Sequence, residues 1–151
     1  MSTNRQMICF FTEETRYRLR GKIRLKRAIA AMITGEGFTL QVLNVILCSD
    51  DFLMGLNRKF LQRNYLTDVI SFDLSESDSQ GVIQGELYIS MDRVKENARL
   101  YGVLIEQELY RMIIHGLLHL MGMEDGDSGL RAIMAKREDD YLKTLFSFEN
   151  Q

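Results

Sequence analysis

Two histidines, His115 and His119, stand four residues apart in the segment IIHGLLHLMGMEDGD, and the chain contains no other histidine. On a helix, residues four apart lie on one face with Cβ atoms roughly 5–6 Å from each other, so both imidazoles can point at one spot. Imidazole nitrogens are common ligands of divalent metal ions. The spacing therefore favours a shared metal ion over two core histidines that are each hydrogen-bonded to a carbonyl or carboxylate.

A catalytic zinc usually has three protein ligands and a fourth position open to water, so a third ligand is needed. Gly122 lets the chain turn back after the helix, and three carboxylates follow it. These are Glu124, Asp125 and Asp127. Spacing alone does not choose among them. The residue after His115 is Gly116, where zinc proteases with an H-E-x-x-H motif place their general base, so that kind of peptide hydrolysis is disfavoured.

The metal segment must be positioned by surrounding strands and helices. Apolar and alternating patterns predict strands near residues 7–11, 38–48, 67–74 and 82–90. Helical spacing predicts about five helices. Four lie near residues 16–36, 91–101, 104–121 and 129–146, with Ser128 as the cap of the last. The other follows a cap at Ser49 or Asp50 and contains Leu53, Leu56 and Phe60 at helical spacing. These elements predict one α+β domain over residues 1–151, with a small mixed four-stranded sheet and helices packed against it.

Composition excludes several classes of protein. Charged residues make up 26% of the chain and hydrophobic residues 46%, as in ordinary soluble domains. No apolar run approaches the length of a membrane span, and the N-terminus lacks the pattern of a secretory signal. We expect a cytoplasmic protein without a membrane partner, in which Cys9 and Cys48 stay as unpaired thiols.

Three segments resemble one known family. HGLLHLMG followed by acids resembles the H-G-x-L-H-x-x-G signature of the YbeY family of bacterial metal-dependent endoribonucleases. LTDVISFDL and GELYIS agree with two further family segments in the same order and spacing, from about residue 56 to the last helix. The resemblance implies one Zn²⁺ per chain, other divalent metals not being excluded, held by His115, His119 and Asp125, which lies six places after the second histidine.

Two positions depart from the family pattern. The third ligand is usually histidine in the family, and Asp125 stands there here. Two histidines and a carboxylate form an established zinc ligand set, but they describe an iron(II) triad equally well. Many members also carry an arginine six residues before the T-D-V threonine, where this chain has Leu61. Arg58, Lys59 and Arg63 lie nearby as alternative phosphate contacts.

The resemblance implies cleavage of single-stranded RNA, in maturation of the 16S ribosomal RNA 3′ end and in ribosome quality control. The implied partners are ribosomal RNA and the small ribosomal subunit, and no DNA substrate is expected. Thr67, Asp68 and Ser71 belong to the shared T-D-V-x-S-F segment and are expected to line the cleft. No general acid or base is assigned, because Glu124 and Asp127 are explained as well by helix capping or by solvent exposure.

A cationic surface is also expected. Residues 1–27 hold eight basic and two acidic residues, whereas residues 28–151 hold eleven and nineteen. If the first helix reaches back to residue 16, four arginines share the face opposite its apolar stripe and can contact RNA phosphates, as can Arg63. These are Arg16, Arg20, Arg24 and Arg27. A solvated helix face is the alternative, and Tyr65 and Tyr88 are candidates for base stacking.

Two other functions stay open on the sequence. One is a ribosome-associated RNA-binding factor with a structural metal and little or no cleavage activity. The other is a hydrolase of a different phosphoester that uses the same three ligands. The sequence does not separate the nuclease from the binding factor, because both use the same basic segment and the same folded domain.

Overall fold

The computed structural model describes residues 7–61, 67–76 and 80–149, with side chains as far as Leu145. Along the chain the elements are β1 (Met7–Glu13), α1 (Lys22–Gly35), β2 (Thr39–Cys48), α2 (Asp50–Leu61), β3 (Val69–Asp73), β4 (Val82–Ser90), α3 (Met91–Tyr101), α4 (Ile105–Leu120) and α5 (Ser128–Glu149). The described residues thus confirm an α+β fold with four strands and five helices.

The sheet is mixed, with the strand order β1-β2-β4-β3. The first three strands in that order are parallel, and β3 runs antiparallel to β4 at one edge. The predicted alternation along β4 is present, with Ile83, Leu87 and Ile89 buried and Tyr88 half-buried on the other face. Ser90 departs from that alternation and is fully buried, because its hydroxyl donates to Asp50 Oδ1 at 2.6 Å.

Helices cover both faces of the sheet. The larger core lies between the sheet and helices α1, α4 and α5, with fully buried residues such as Leu43, Leu87 and Leu117. A smaller cluster around Cys48, Leu53 and Ile70 lies under α2 on the opposite face. Helix α4 therefore runs through the larger core and is buried along most of its length, as its apolar sequence predicts.

Close packing of α4 on the sheet depends on Gly116. A Cβ atom built there would lie 2.9 Å from Leu87 Cδ2 and 3.3 Å from Ser71 Oγ. The Ser71 hydroxyl donates to the Gly116 carbonyl at 3.1 Å, which fixes β3 to the C-terminal half of the helix. The position occupied by the general base in H-E-x-x-H enzymes is thus a packing position here.

Helix α1 begins at Lys22, so the prediction of a helix from about residue 16 is wrong at its N-terminal end. Gly21 has φ 66° and ψ 33°, a left-handed conformation that interrupts the helical path. Residues 15–21 are not helical. Arg16 and Arg20 therefore precede the helix, and the four predicted arginines do not share one helix face.

Helix α5 begins at Ser128, but the capping side chain is that of Asp127. Its Oδ1 accepts the backbone N–H of Leu130 at 2.8 Å, and its carbonyl accepts that of Arg131 at 2.9 Å. The predicted cap, Ser128, is therefore wrong by one residue. The sequence left two roles open for Asp127, helix capping and solvent exposure, and its side chain caps α5.

Both cysteines are free thiols, as expected. Burial, reinforced by the nearby charge of Asp50, raises the pKa of Cys48 to about 12, so this thiol stays protonated. None of the described helices is both long enough and apolar enough to cross a bilayer.

Candidate active site

The two histidines lie near the C-terminal end of α4 and face each other. Their Nε2 atoms are 3.1 Å apart, and their ring centroids are 4.6 Å apart. The side chains of His115 and His119 are 28% and 31% exposed, whereas the helix residues around them are mostly buried. The helix therefore presents two imidazole nitrogens to solvent at one point, as the spacing predicts.

Asp125 reaches the same point from the turn after α4. Gly122 adopts φ 92°, which reverses the chain beyond the helix. Asp125 Oδ2 then lies 3.5 Å from His115 Nε2 and 3.4 Å from His119 Nε2. Of the three carboxylates that spacing left open, Asp125 is the one brought to the histidines, because Glu124 is exposed and Asp127 caps α5.

The cluster fits a divalent metal ion. Its three ligand atoms all lie within 4.8 Å of one another. Ligands about 2.0–2.1 Å from a tetrahedral ion stand roughly 3.3 Å apart, close to the 3.1–3.5 Å observed here. Two imidazoles and a carboxylate would also leave one tetrahedral position open to water or substrate.

Glu138 on α5 is a site residue that the sequence analysis missed. Its Oε1 lies 3.2 Å from His115 Nδ1, and the residue is only 7% exposed. Burial alone would lower the pKa of His115, but the hydrogen bond and charge of Glu138, with further negative charge from Asp125 and Asp68, raise it overall. A carboxylate on Nδ1–H leaves Nε2 with its lone pair toward the cluster.

The cluster lies in a cleft of about 670 Å³ between α4, α5 and the start of β3. Thr67 and Asp68 are in its wall, and Asp68 Oδ2 accepts a hydrogen bond from Asn97 Nδ2 at 3.4 Å. Ser71 is not among the lining residues, since its hydroxyl is bonded to α4. The shared T-D-V-x-S-F segment thus supplies both a cleft wall and a packing contact.

Comparison with known proteins agrees with the motifs. A family model described as Endoribonuclease YbeY matches residues 12–146. The chain belongs to the YbeY family. A relative named Endoribonuclease YbeY from Cytophaga hutchinsonii is 40% identical over 137 residues, covering 91% of this chain and 94% of the relative. A second relative of that name, from Chlorobaculum tepidum, is 43% identical over 121 residues, covering 80% and 86%.

A solved structure shares the YbeY fold of this chain. The solution structure of a Thermotoga maritima protein is 31% identical, covers 93% of this chain and 90% of its own, and superposes with a TM-score of 0.63. The family match begins inside β1, whereas the motifs extend only from about residue 56. The family match therefore also includes the end of β1 and all of α1 and β2, where no motif was found.

The predicted RNA-binding residues of this YbeY chain are dispersed. Arg16 and Arg20 are exposed before α1, and Arg24 and Arg27 are exposed on it. Arg63 lies outside the described residues. Arg58 and Lys59, the other candidates near Leu61, are exposed on α2, which packs on the opposite face of the sheet from α4.

Tyr88, one of the two predicted stacking residues, is not among the residues that line the cleft. It packs between Phe52 and Phe72, with ring centroids 6.2 and 5.7 Å away, and donates a hydrogen bond to Glu86. Tyr65, the other, lies outside the described residues. Among the residues that the structure describes, the tyrosine that lines the YbeY cleft is Tyr101, at the end of α3.

Two further charged residues of α4 that line the cleft were missed. Counting back from His115 by four and by seven residues reaches Arg111 and Glu108, and both line the cleft. The sequence carried a signal for both residues, because the helical spacing of the two histidines continues toward the N-terminus of α4 and reaches them.

Proposed function

We propose that this chain is a zinc-dependent endoribonuclease that cleaves single-stranded RNA. The convergence of His115, His119 and Asp125 in an open cleft carries the proposal, and the names of the relatives supply the substrate class. When bound, the metal supplies a Lewis acid that polarises a phosphoryl oxygen and lowers the pKa of water.

Each neighbouring residue has a defined task in this proposal. The Nε2 atoms of His115 and His119 and the carboxylate of Asp125 hold the ion. Glu138 keeps a proton on His115 Nδ1, so that Nε2 is available as a ligand. Thr67 and Asp68 form the wall past which the RNA enters. No residue is assigned as the general acid or base.

Zinc is proposed because two histidines and a carboxylate with an open fourth position form a known catalytic zinc set. The same ligands suit iron(II), so the native ion is decided by elemental analysis of protein purified without added metal. Iron at one equivalent with no zinc would contradict this part of the proposal.

The deciding experiment compares wild type with His119→Ala. We expect about one zinc per chain and cleavage of a single-stranded RNA for wild type, with loss of both for the variant. Lys136→Ala is a matched control, because Lys136 is an exposed residue of α5 that pairs with Asp140 on the same helix. Equal trace activity in all three proteins would indicate contamination, and the RNA-binding factor would then be the better description.

In the cell, we propose a cytoplasmic role in maturation of the 16S ribosomal RNA 3′ end and in ribosome quality control on the small subunit. The family resemblance supports this role. Cells without the protein should accumulate 16S precursors extended at the 3′ end. Wild type should remove these precursors on re-expression, whereas His119→Ala should not.

We also propose that the basic segment, residues 16–27, contacts RNA phosphates. Its arginines are exposed even though they do not lie on one helix face. An extended run followed by a helix can present charge to a strand of RNA as well as a single helix face can.

A further inference from the structure

The metal cleft continues along α4 toward the end of α3, and one basic side chain lies in this extension. Among the residues that the structure describes, Arg111 is the one lysine or arginine in the cleft wall. It precedes His115 by four residues, about 6 Å along the helix axis. The remaining charged groups of the wall are mostly acidic, including Asp68, Glu108 and Glu138. Within the described part of the cleft, Arg111 is therefore the side chain that offers a fixed positive charge to a polyanionic substrate beside the metal cluster.

The guanidinium of Arg111 is fixed in place but keeps donors available. Its Nη1 donates to Asp139 Oδ1 at 3.3 Å, and its Nε lies 3.7 Å from Glu108 Oε2, beyond hydrogen-bond length. A guanidinium has five N–H donors. The Asp139 carboxylate is 57% exposed, and such solvent-exposed pairs contribute little, so a phosphate can replace it.

Glu108 explains why the arginine stays on the cleft wall. The residue is 2% exposed, and its Oε2 has no hydrogen-bond partner. Burial raises the pKa of Glu108, although the charge of Arg111 acts in the opposite direction. A buried carboxylate at ion-pair distance attracts the guanidinium without using up its N–H groups.

An aromatic ring lines the same cleft as Arg111. Tyr101 ends α3 and is 66% exposed. An exposed ring and an arginine in one cleft offer the two contacts that unpaired nucleotides use, a stacking surface and a phosphate donor. A paired base cannot leave its stack to reach the ring, so this contact would favour single strands.

We infer that Arg111 and Tyr101 form a nucleotide subsite next to the metal cluster. Arg111 donates to a backbone phosphate beside the scissile one, and Tyr101 stacks the base attached to it. The inference rests on the proposed function, since it takes single-stranded RNA as the ligand. Arg111 thus gives the cleft a positively charged side chain in a chain that has Leu61 where many relatives carry an arginine.

Binding of labelled single-stranded octamers, one of RNA and one of DNA with the same sequence, tests the subsite. Anisotropy titrations use zinc-loaded protein at several salt concentrations, and a gel checks that the RNA stays intact. The DNA octamer has the same phosphates and stacking bases, so it reports binding even where RNA is cut. Arg99→Gln is the matched control, because Arg99 is exposed on α3 and pairs with Glu96 on the same helix.

Arg111→Gln should weaken binding of both octamers and flatten the logarithmic salt slope by roughly 0.7, the value of one phosphate contact on a single strand. Tyr101→Ala should weaken binding by about fivefold to a hundredfold, and Tyr101→Phe should not. Zinc content should equal that of wild type in each variant, because neither residue is a ligand.

Asp139→Asn separates binding from a structural role for Arg111. If the arginine only ties α4 to α5, this variant should behave like Arg111→Gln. If it binds phosphate, removal of its exposed partner should leave binding unchanged or tighter. Wild-type affinity and salt slope in Arg111→Gln would overturn the subsite, even if wild type cleaves RNA. If Arg111→Gln weakens binding but no protein, wild type included, cleaves RNA, the subsite stands and the nuclease function is rejected.

Discussion

Glu138 is expected to control metal affinity without being a ligand. Its carboxylate accepts from His115 Nδ1 and is held by burial between α4 and α5. Loss of such a partner typically weakens metal binding about 10–100-fold, because the ring is no longer held in the required tautomer and orientation. We expect that loss for Glu138→Ala and a smaller one for Glu138→Gln, whose amide oxygen can still accept the proton.

Competition with a coloured chelator measures the zinc affinity of these variants. Asp140→Asn is the matched control, since Asp140 is an exposed carboxylate on the same helix. Zinc affinity equal to wild type in a folded Glu138→Ala protein would show that His115 needs no carboxylate partner.

The site residues differ in how far the sequence reveals them. The pairing of His115 with His119 follows from helical periodicity alone. Asp125 could be selected as the third ligand only from the family resemblance, because the sequence does not show the conformation of the turn after Gly122. Glu138 could not be found in this way, since it stands in the run AKREDDY, which is typical of a solvated helix. Only the packing of α5 on α4 shows that one carboxylate of that run is buried.

Among the structural elements, the pairing of β3 with β4 is the one most sensitive to a single methyl group. A Cβ atom at Gly85 would lie 2.7 Å from the Phe72 carbonyl oxygen and 3.1 Å from Leu120 Cδ2. The oxygen is backbone and cannot move without shifting β3. Gly85→Ala should therefore lower the free energy of unfolding by about 1–3 kcal/mol, the usual cost of overpacking.

Gly55→Ala is the same substitution at a position where we expect it to raise the free energy of unfolding. Gly55 is exposed inside α2, and no atom lies within 4 Å of a Cβ built there. Alanine should raise the free energy of unfolding by up to about 1 kcal/mol through helix propensity. Urea denaturation of both variants measures the two effects. A Gly85→Ala protein as stable as wild type would mean that the strand pair adjusts freely.

Element boundaries were predicted well where periodicity is strong. The β4 strand and the following α3 helix match the prediction, because alternation and helical spacing change at Ser90. The start of α1 was wrong because a run of alternating arginines and apolar residues fits a helix and an extended chain equally well. The left-handed conformation of Gly21 decides between them, and the sequence shows only that a glycine is present.

Across the protein, positive charge and the metal site lie near opposite ends of α4. Leu19, Lys22 and Arg24 share a surface hollow with Glu106, at the start of that helix. From Glu106 to His119 the helix rises roughly 20 Å. A single strand that rises about 3.4 Å per nucleotide needs about six nucleotides to span this distance. A stacked oligonucleotide shorter than that reaches only one of the two surfaces.

The triple variant Arg16→Gln, Arg18→Gln and Arg20→Gln tests this arrangement. It should weaken binding of a dodecamer and flatten its salt dependence by up to about 2, since each phosphate contact on a single strand contributes about 0.7. A tetramer should bind as it does to wild type, because it occupies only the cleft. Titrations of both oligonucleotides at several salt concentrations measure the effect. An unchanged dodecamer slope would exclude these three arginines from RNA binding.

The three proposed ligands are divided between helix α4 and the turn that follows it. An ion bound by all three would hold the turn against the end of the helix and fix the first residues of α5 in place. Removing the ion would free that turn for attack by proteases. The supply of metal in the cell would then govern how long each copy of the protein survives, and not only how fast it works.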